Sequence, residues 1–332
     1  MLSRVANSVY WMSRYVERAE NVARYIDVNQ HLSLDSPANT PQQWEALVTT
    51  TGDHEAFKAR YAVADRASVI EFLAFDKENP NSILACLTQA RENARMVRPT
   101  LSNETWEYIN RAYLAVRAPG AREQAREATY EFCLRVRELV GLFVSATDGS
   151  MARGEAWQFL HLGRMLERAD QTSRIVDVKY YILLPSAADV GTPLDTLQWA
   201  AMLKSVSGFE MYRQSYGRIT PSDVSQFLIL DARFPRAIRF CVDAAEQSMH
   251  AITGSPPGSF RNDAERQLGR LRSRLDYTAI EEVLQAGMHE YLDDFQGRLN
   301  RIDVAIGKAF FQIKAEQERA TAEDRTRGAA AS

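Results

Sequence analysis

Lysine is scarce in this chain. Only Lys58, Lys77, Lys179, Lys204, Lys308 and Lys314 stand among its 40 basic residues. The rest are arginine, a planar and permanently charged fork suited to carboxylates, although an arginine-favouring genome would leave the same bias. Cysteine is scarcer still. Cys86, Cys133 and Cys241 show no C-x-x-C spacing, which argues against a disulfide framework or a zinc site. There is no basic excess: 40 basic against 43 acidic residues leave a net charge of -3, and a nucleic-acid binder would normally be positive. No apolar run approaches the length of about 18 residues that a membrane span requires. Arg4 is not followed by a continuous apolar segment, so no signal peptide is expected. The expectation is a cytoplasmic chain with no membrane and no nucleic-acid partner.

The common catalytic motifs are also missing. Neither G-x-x-x-x-G-K-[ST] nor G-x-G-x-x-G occurs, so there is no standard phosphate loop. H-E-x-x-H and G-x-S-x-G are absent, and no carboxylate precedes any histidine by three residues as di-iron bundles need. No cofactor and no metal are expected. The absence of a nucleophile or metal signature leaves open whether the chain is an enzyme.

What is present is a repeat, the first thing to seek in a chain of this length. Arg14-Tyr-Val-Glu17-Arg18-Ala19-Glu20-Asn21 returns as Arg164-Met-Leu-Glu167-Arg168-Ala169-Asp170-Gln171. Seven of the fifteen positions from Arg14 to Val28 are identical at an offset of 150. Further on the offset becomes 155: Gln43-Trp44 matches Gln198-Trp199, Phe57 and Tyr61 match Tyr212 and Tyr216, and Phe72-Leu73 matches Phe227-Leu228. Asp76, Pro80, Ile83, Cys86 and Ala90 match Asp231, Pro235, Ile238, Cys241 and Ala245. A loop insertion at 183–193 accounts for the change, and beyond residue 97 the halves cannot be aligned. Cys86 and Cys241 read as small core fillers.

Strand alternation is lacking. The expected fold is all-α: a duplicated multi-helix bundle whose two related halves, 1–150 and 151–316, pack together around a pseudo-twofold axis. A tail at 317–332 is expected to be disordered. Each half begins with a long helix, about 3–30 and about 152–183. Asn79-Pro80 and Thr220-Pro221 read as N-cap followed by proline at the first helical position, so further helices are expected to start at Pro80, at its match Pro235, and at Pro221. Long helices are also expected at about 102–117, 121–147, 259–275 and 278–316.

On a helix advancing about 100° per residue, Met12, Tyr15, Ala19, Val22, Ala23 and Ile26 share a broad apolar face. Arg14, Glu17, Arg18, Asn21 and Arg24 share the other, with Glu20 and Asp27 beside them, and all seven keep their chemical class in the second copy. Tyr10, Trp11 and Tyr25 stand among these charges. A solvated face seldom carries so much apolar surface, so a neighbour should cover it. Burying the charges unpaired would cost several kcal/mol each. Three readings remain: surface pairs such as Glu17–Arg14 and Glu20–Arg24, each worth about 0.3–0.5 kcal/mol; a buried network that locks the two halves; or a ligand site where the copies meet.

Arginine forks suit carboxylates or phosphates and carboxylates suit amines, so the ligand expected at such a site is anionic or zwitterionic, of amino-acid or peptide type. The candidate binding residues are Arg14, Glu17, Arg18, Glu20, Asn21, Arg24, Arg164, Glu167, Arg168, Asp170, Gln171 and Arg174. His161 lies beside the second motif. Arg91 and Arg95 form a basic patch on one helix face without a twin in the second half. Arginine neighbours lower a carboxyl pKa, which favours binding over proton donation.

The segments Tyr10–Asn21 and Leu162–Arg174 resemble the two signature motifs of the bacterial alpha-E family, all-helical proteins named for a repeated Glu-Arg motif. The resemblance runs from Met1 to about Gln312. It implies no established reaction. It does imply two partners, an ATP-grasp amide ligase and a transglutaminase-like protein, and so an accessory or catalytic part in small-peptide synthesis or tagging. The motif residues by position are Arg14, Glu17, Arg18, Arg164, Glu167 and Arg168. The alternative is a non-enzymatic scaffold whose Glu-Arg network is purely structural.

Overall fold

The computed structural model describes residues 1–35, 41–181 and 192–312. The expected tail at 317–332, and nearly all of the expected loop at 183–193, lie outside the described residues. Among the described residues there are sixteen α-helices and no strand. In chain order they are α1 (Ser3–Asp35), α2 (Pro41–Thr51), α3 (His54–Lys58), α4 (Arg66–Ala74), α5 (Ile83–Met96), α6 (Asn103–Arg117), α7 (Ala121–Glu127), α8 (Thr129–Ser150), α9 (Glu155–Tyr181), α10 (Pro193–Ser205), α11 (Phe209–Ser215), α12 (Pro221–Leu230), α13 (Ile238–Thr253), α14 (Asp263–Asp276), α15 (Ile280–Ala286) and α16 (Met288–Ile306). None of the described helices is long and apolar enough to cross a membrane.

The two motif helices, α1 and α9, lie against each other in the centre. Helix α5 covers α1 and α13 covers α9, while α8 and α16 flank them on the same pattern. Two apolar cores meet at this pair. One takes Val9, Met12 and Val16 from α1 with Leu162, Met165 and Leu166 from α9. The other takes Ala19, Val22, Ala23 and Ile26 from α1. Tyr15 and Ile175 pack against both. The close approach of the two helices depends on Gly163: a Cβ there would fall 2.5 Å from the Tyr10 carbonyl oxygen. Ser13, at the matching place on α1, donates across the gap to the Leu160 carbonyl at 2.6 Å.

The aromatic residues that matched by sequence have matching surroundings. Trp44 and Trp199 are both buried. Phe57 stacks on Tyr61 at 5.0 Å and Tyr212 on Tyr216 at 4.9 Å, with Phe72 and Phe227 edge-on beside them. Cys86 and Cys241 are buried fillers, each directing its thiol at a proline carbonyl six residues earlier.

Several expected boundaries move. Helix α1 runs on to Asp35. Pro80 and Pro235 do not begin helices, which start three residues later at Ile83 and Ile238. Asn79 Oδ1 accepts from the Asn81 amide at 2.9 Å, an Asx turn, and Ser82 is the true N-cap of α5. Thr220 does cap α12 as expected. The helix expected at 121–147 breaks at Ala128, where Arg66 reaches in to take the Arg126 carbonyl at 2.6 Å. The helix expected at 278–316 breaks at Gly287, whose φ of +95° is open to glycine and not to most residues.

Candidate functional site

Helical spacing puts Arg14, Glu17, Arg18 and Asn21 on the side of α1 that faces α9, and Arg164, Glu167, Arg168 and Gln171 on the facing side of α9. The pairs then form between helices. Arg18 donates from Nε and Nη2 to the two oxygens of Glu167 at 2.7 and 2.9 Å. Arg168 donates from Nε and Nη2 to the two oxygens of Glu17 at 2.8 and 2.9 Å. Asn21 adds a bond to Glu17 at 3.3 Å, and Gln171 one to Glu167 at 3.0 Å. Each carboxylate also takes a second arginine: Arg14 Nε on Glu167 at 2.8 Å, Arg236 Nη1 on Glu17 at 3.0 Å.

Glu17 is 1% exposed and Glu167 is not exposed, so the surface-pair reading fails for them. Arg14 serves Glu167 across the gap and does not pair with Glu17 on its own helix. Burial pushes both carboxyls upward, but the arginines outweigh it. Arg168 and Arg236 hold Glu17 well below the usual carboxylate range, and Arg18 and Arg14 hold Glu167 at about 2. Their partners are correspondingly fixed as cations: burial works against Arg18 and Arg168, yet the facing carboxylates raise both. Both glutamates are thereby held toward the charged form, which suits binding better than proton donation.

Within the helices, Arg24 pairs with Glu20 at 2.5 Å and Arg174 with Asp170 at 2.8 Å. Outward along the interface, Arg14 Nη1 reaches Asp303 at 2.6 Å, where the Tyr10 hydroxyl also donates at 2.6 Å. Arg164 reaches Asp148 at 3.3 and 3.4 Å, and its Nε and Nη1 are buried with no hydrogen-bond partner among the described residues. Three other expected residues stand apart from the pairs. His161 bonds Ser248 at 2.8 Å and stacks on Trp157; burial, then Arg164, lowers it to about 4. Arg91 bonds Asn110 and Glu92 and lies against Trp106 and Tyr113, and Arg95 is exposed beside Glu92. Neither joins the motif residues.

One end of the network holds a cavity of about 160 Å³, lined by Arg18, Val22, Thr51, Asn81, Asp170, Gln171 and Arg174. Arg18 Nη1 donates to Asn81 Oδ1, and Asn81 Nδ2 donates to Asp53, both at 2.7 Å. Arg174 gives Nε to Asp170 at 2.8 Å, and among the described residues its two terminal nitrogens have no hydrogen-bond partner. At the other end the network meets the side chain of Arg236. Arg236 Nη1 bonds Glu17 and Asn21 at 3.0 and 3.1 Å, and its Nη2 bonds Glu20 at 3.1 Å.

Thr51, Asn81, Asp148, Arg236 and Asp303 were not among the expected residues. Asn81 and Arg236 carried a readable signal. They follow the matched prolines Pro80 and Pro235 directly and differ in charge. Asp148 and Asp303 carried none, because they lie where the halves no longer align.

The profile of the Alpha-E family, described as a predicted alpha-helical domain with a conserved ER motif, matches residues 1–311. The chain belongs to the Alpha-E family. Among curated proteins it is similar to an uncharacterized protein of Mycobacterium bovis and to uncharacterized proteins of two strains of Mycobacterium tuberculosis. Each is 24% identical over 335 residues, which cover 91% of this chain and 37% of the relative. The chain thus spans little more than a third of the length of these relatives. No solved structure matches it.

Proposed function

We propose that this chain is a binding component of a cytoplasmic amide-ligation system. In this reading it holds a small zwitterionic ligand, an amino acid or peptide, in the cavity beside the Glu-Arg network. It acts with an ATP-grasp ligase and a transglutaminase-like protein in small-peptide synthesis or tagging. The observation that carries the reading is the cavity wall, where uncommitted terminal nitrogens of Arg174 stand beside the carboxylate of Asp170. Such a wall suits a carboxylate and an amine at once. The partners rest on family resemblance, with one supporting circumstance: the curated relatives contain a good deal of chain besides this one.

Duplication belongs to the same proposal. The halves 1–150 and 151–316 are read as copies related by a pseudo-twofold axis between α1 and α9. Paired contacts support it: Arg18–Glu167 against Arg168–Glu17, Arg24–Glu20 against Arg174–Asp170, and Arg14–Asp303 against Arg164–Asp148. The Glu-Arg core is then a structural clasp, and ligand chemistry is confined to its open end.

A second reading has an observation of its own. Glu17 and Glu167 are saturated by protein donors, as in a pure scaffold that docks the ligase elsewhere. Metabolite mass spectrometry on cells carrying the ligase separates the two. On the binding reading, deleting this chain removes a ligase product, and Arg174→Met removes it too while the protein still melts cooperatively. A product that survives deletion ends the proposal; one that survives Arg174→Met alone leaves the scaffold.

A further inference from the structure

The two ends of the network differ by one exchange, and the exchange names what the open end lacks. At an offset of 155, Asn81 corresponds to Arg236 and Asp53 to Gly208. At the closed end the guanidinium of Arg236 is held by Glu17, Asn21 and Glu20. The residues matching these three are Glu167, Gln171 and Asp170, and two of them line the cavity. The cavity therefore occupies the place that a guanidinium fills at the other end.

Charge tells the same story. Setting aside the pairs Arg14–Asp303 and Arg164–Asp148, the closed end has the cations Arg24, Arg168 and Arg236 for the carboxylates Glu17 and Glu20. The open end has Arg18 and Arg174 for Glu167, Asp170 and Asp53, with Arg14 shared between Glu167 and Asp303. Asp53 is 9% exposed, and its Oδ2 is buried without a hydrogen bond of good geometry, the Thr51 hydroxyl lying beside it. The open end is thus one cation short and one carboxylate over.

An anion alone suits this cavity less well than its two arginines suggest. Arg18 spends Nε and Nη2 on Glu167 and Nη1 on Asn81. Among the described residues, that leaves the terminal nitrogens of Arg174. A water takes a share of about 30 Å³ in the liquid, so 160 Å³ accommodates a guanidinium with its first methylenes.

We infer that the cavity takes the guanidinium group of an arginine or of an arginine-bearing peptide, in the role that Arg236 plays at the closed end, with the ligand's carboxylate on Arg174. This deepens the proposed function and rests on its reading of the cavity as a ligand site.

Calorimetry on the full chain with L-arginine, L-citrulline and L-glutamate tests it. Arginine binds saturably. Citrulline, the same shape without the charge, binds at least about tenfold more weakly, the factor expected for a charge-assisted hydrogen bond, and glutamate does not bind. Asn81→Arg supplies the guanidinium from the chain itself and abolishes arginine binding without lowering the melting temperature. Asp170→Asn keeps the shape and weakens arginine at least about tenfold, which decides the matter should Asn81→Arg fail to fold. Glutamate binding in place of arginine overturns the guanidinium assignment and leaves the ligand site standing. No binding by any of the three, together with an unchanged ligase product in Asn81→Arg cells, overturns both.

Discussion

The closed and open ends of the Glu-Arg network are built from nearly the same residues, yet one is filled and the other hollow. Arg236 inserts a third guanidinium beside Glu17 and Glu20, and the closed end is satisfied by protein atoms alone. Asn81, in the matching place, is too short and carries no charge. It spends its amide on Arg18 and Asp53 and leaves about 160 Å³ unfilled. The difference separates two roles that a buried ionic cluster can combine. The shared pairs at the centre bind helix to helix, whereas the unshared position, Asn81 against Arg236, separates the filled end from the hollow one.

The largest expected effect lies in what the two ends have in common. Glu17→Ala takes the carboxylate from Arg168 and leaves Arg236 with Glu20 alone, and Glu167→Ala takes it from Arg18 and leaves Arg14 with Asp303 alone. Each should cost about 3–5 kcal/mol of unfolding free energy in a denaturant titration, because removing one partner leaves a buried charge uncompensated. A loss below about 1 kcal/mol, the range of exposed pairs, would show that the clasp does not hold the fold.

Opening the closed end comes next. Arg236→Gln withdraws charge-assisted bonds from Glu17 and Glu20, with an expected cost of about 1.5–3 kcal/mol. The mirror change at the open end, Asn81→Arg, should cost little or stabilise. Equal losses from the two changes would mean that the ends are not alternative fillings of one design.

Acid sharpens the comparison further. Glu167 is lowered in the folded chain to about 2, from an ordinary value near 4.5, and Glu17 is lowered in the same direction. A lowered carboxyl contributes stability that is complete above its unfolded pKa and is lost as pH falls toward its folded one. Wild type and Glu167→Gln should therefore differ most above about pH 4.5 and converge toward about pH 2, followed by circular dichroism. A gap that stayed constant over that range would mean that the pair is not ionic.

The smallest effect belongs to the unmatched carboxylate. Burial raises Asp53 against the pull of the Asn81 hydrogen bond, the nearby Thr51 hydroxyl and the neighbouring arginines. Raised in the fold, it favours the protonated form, so its contribution declines as pH climbs past its unfolded value. Asp53→Asn should leave neutral-pH stability equal or higher, by about 1 kcal/mol or less. A clear loss would mean that Asp53 already has a cation partner at the open end.

Much of this was legible beforehand. Long helices rich in arginine and aliphatic residues announce themselves by period, and α1, α6, α9 and α12 lie close to where the pattern put them. That Glu17 and Glu167 are enclosed could be inferred from Tyr10, Trp11 and Tyr25 standing among the charges. Boundaries set by distant contacts could not be inferred in this way. The break at Ala128 involves Arg66, sixty residues away, and the turn before α5 depends on an Asn79 side chain that serves equally well in a cap or an Asx turn. Spacing also offered Arg14 to Glu17 within one helix, and the fold gave it to Glu167 instead.

Period and the repeated charges determined that the chain is helical, that one motif helix occurs twice, and that its ionic face is not solvated. These follow from local propensity and from the free-energy cost of burying charge, and both act residue by residue. Tertiary structure decided which glutamate each arginine grips, that Asp148 and Asp303 complete the interface, and that one end is closed by Arg236 while the other stays open. Such partners lie far apart in the chain, and hydrogen bonds form over about 3 Å, so only the packing of α1 against α9 could select among equally charged candidates.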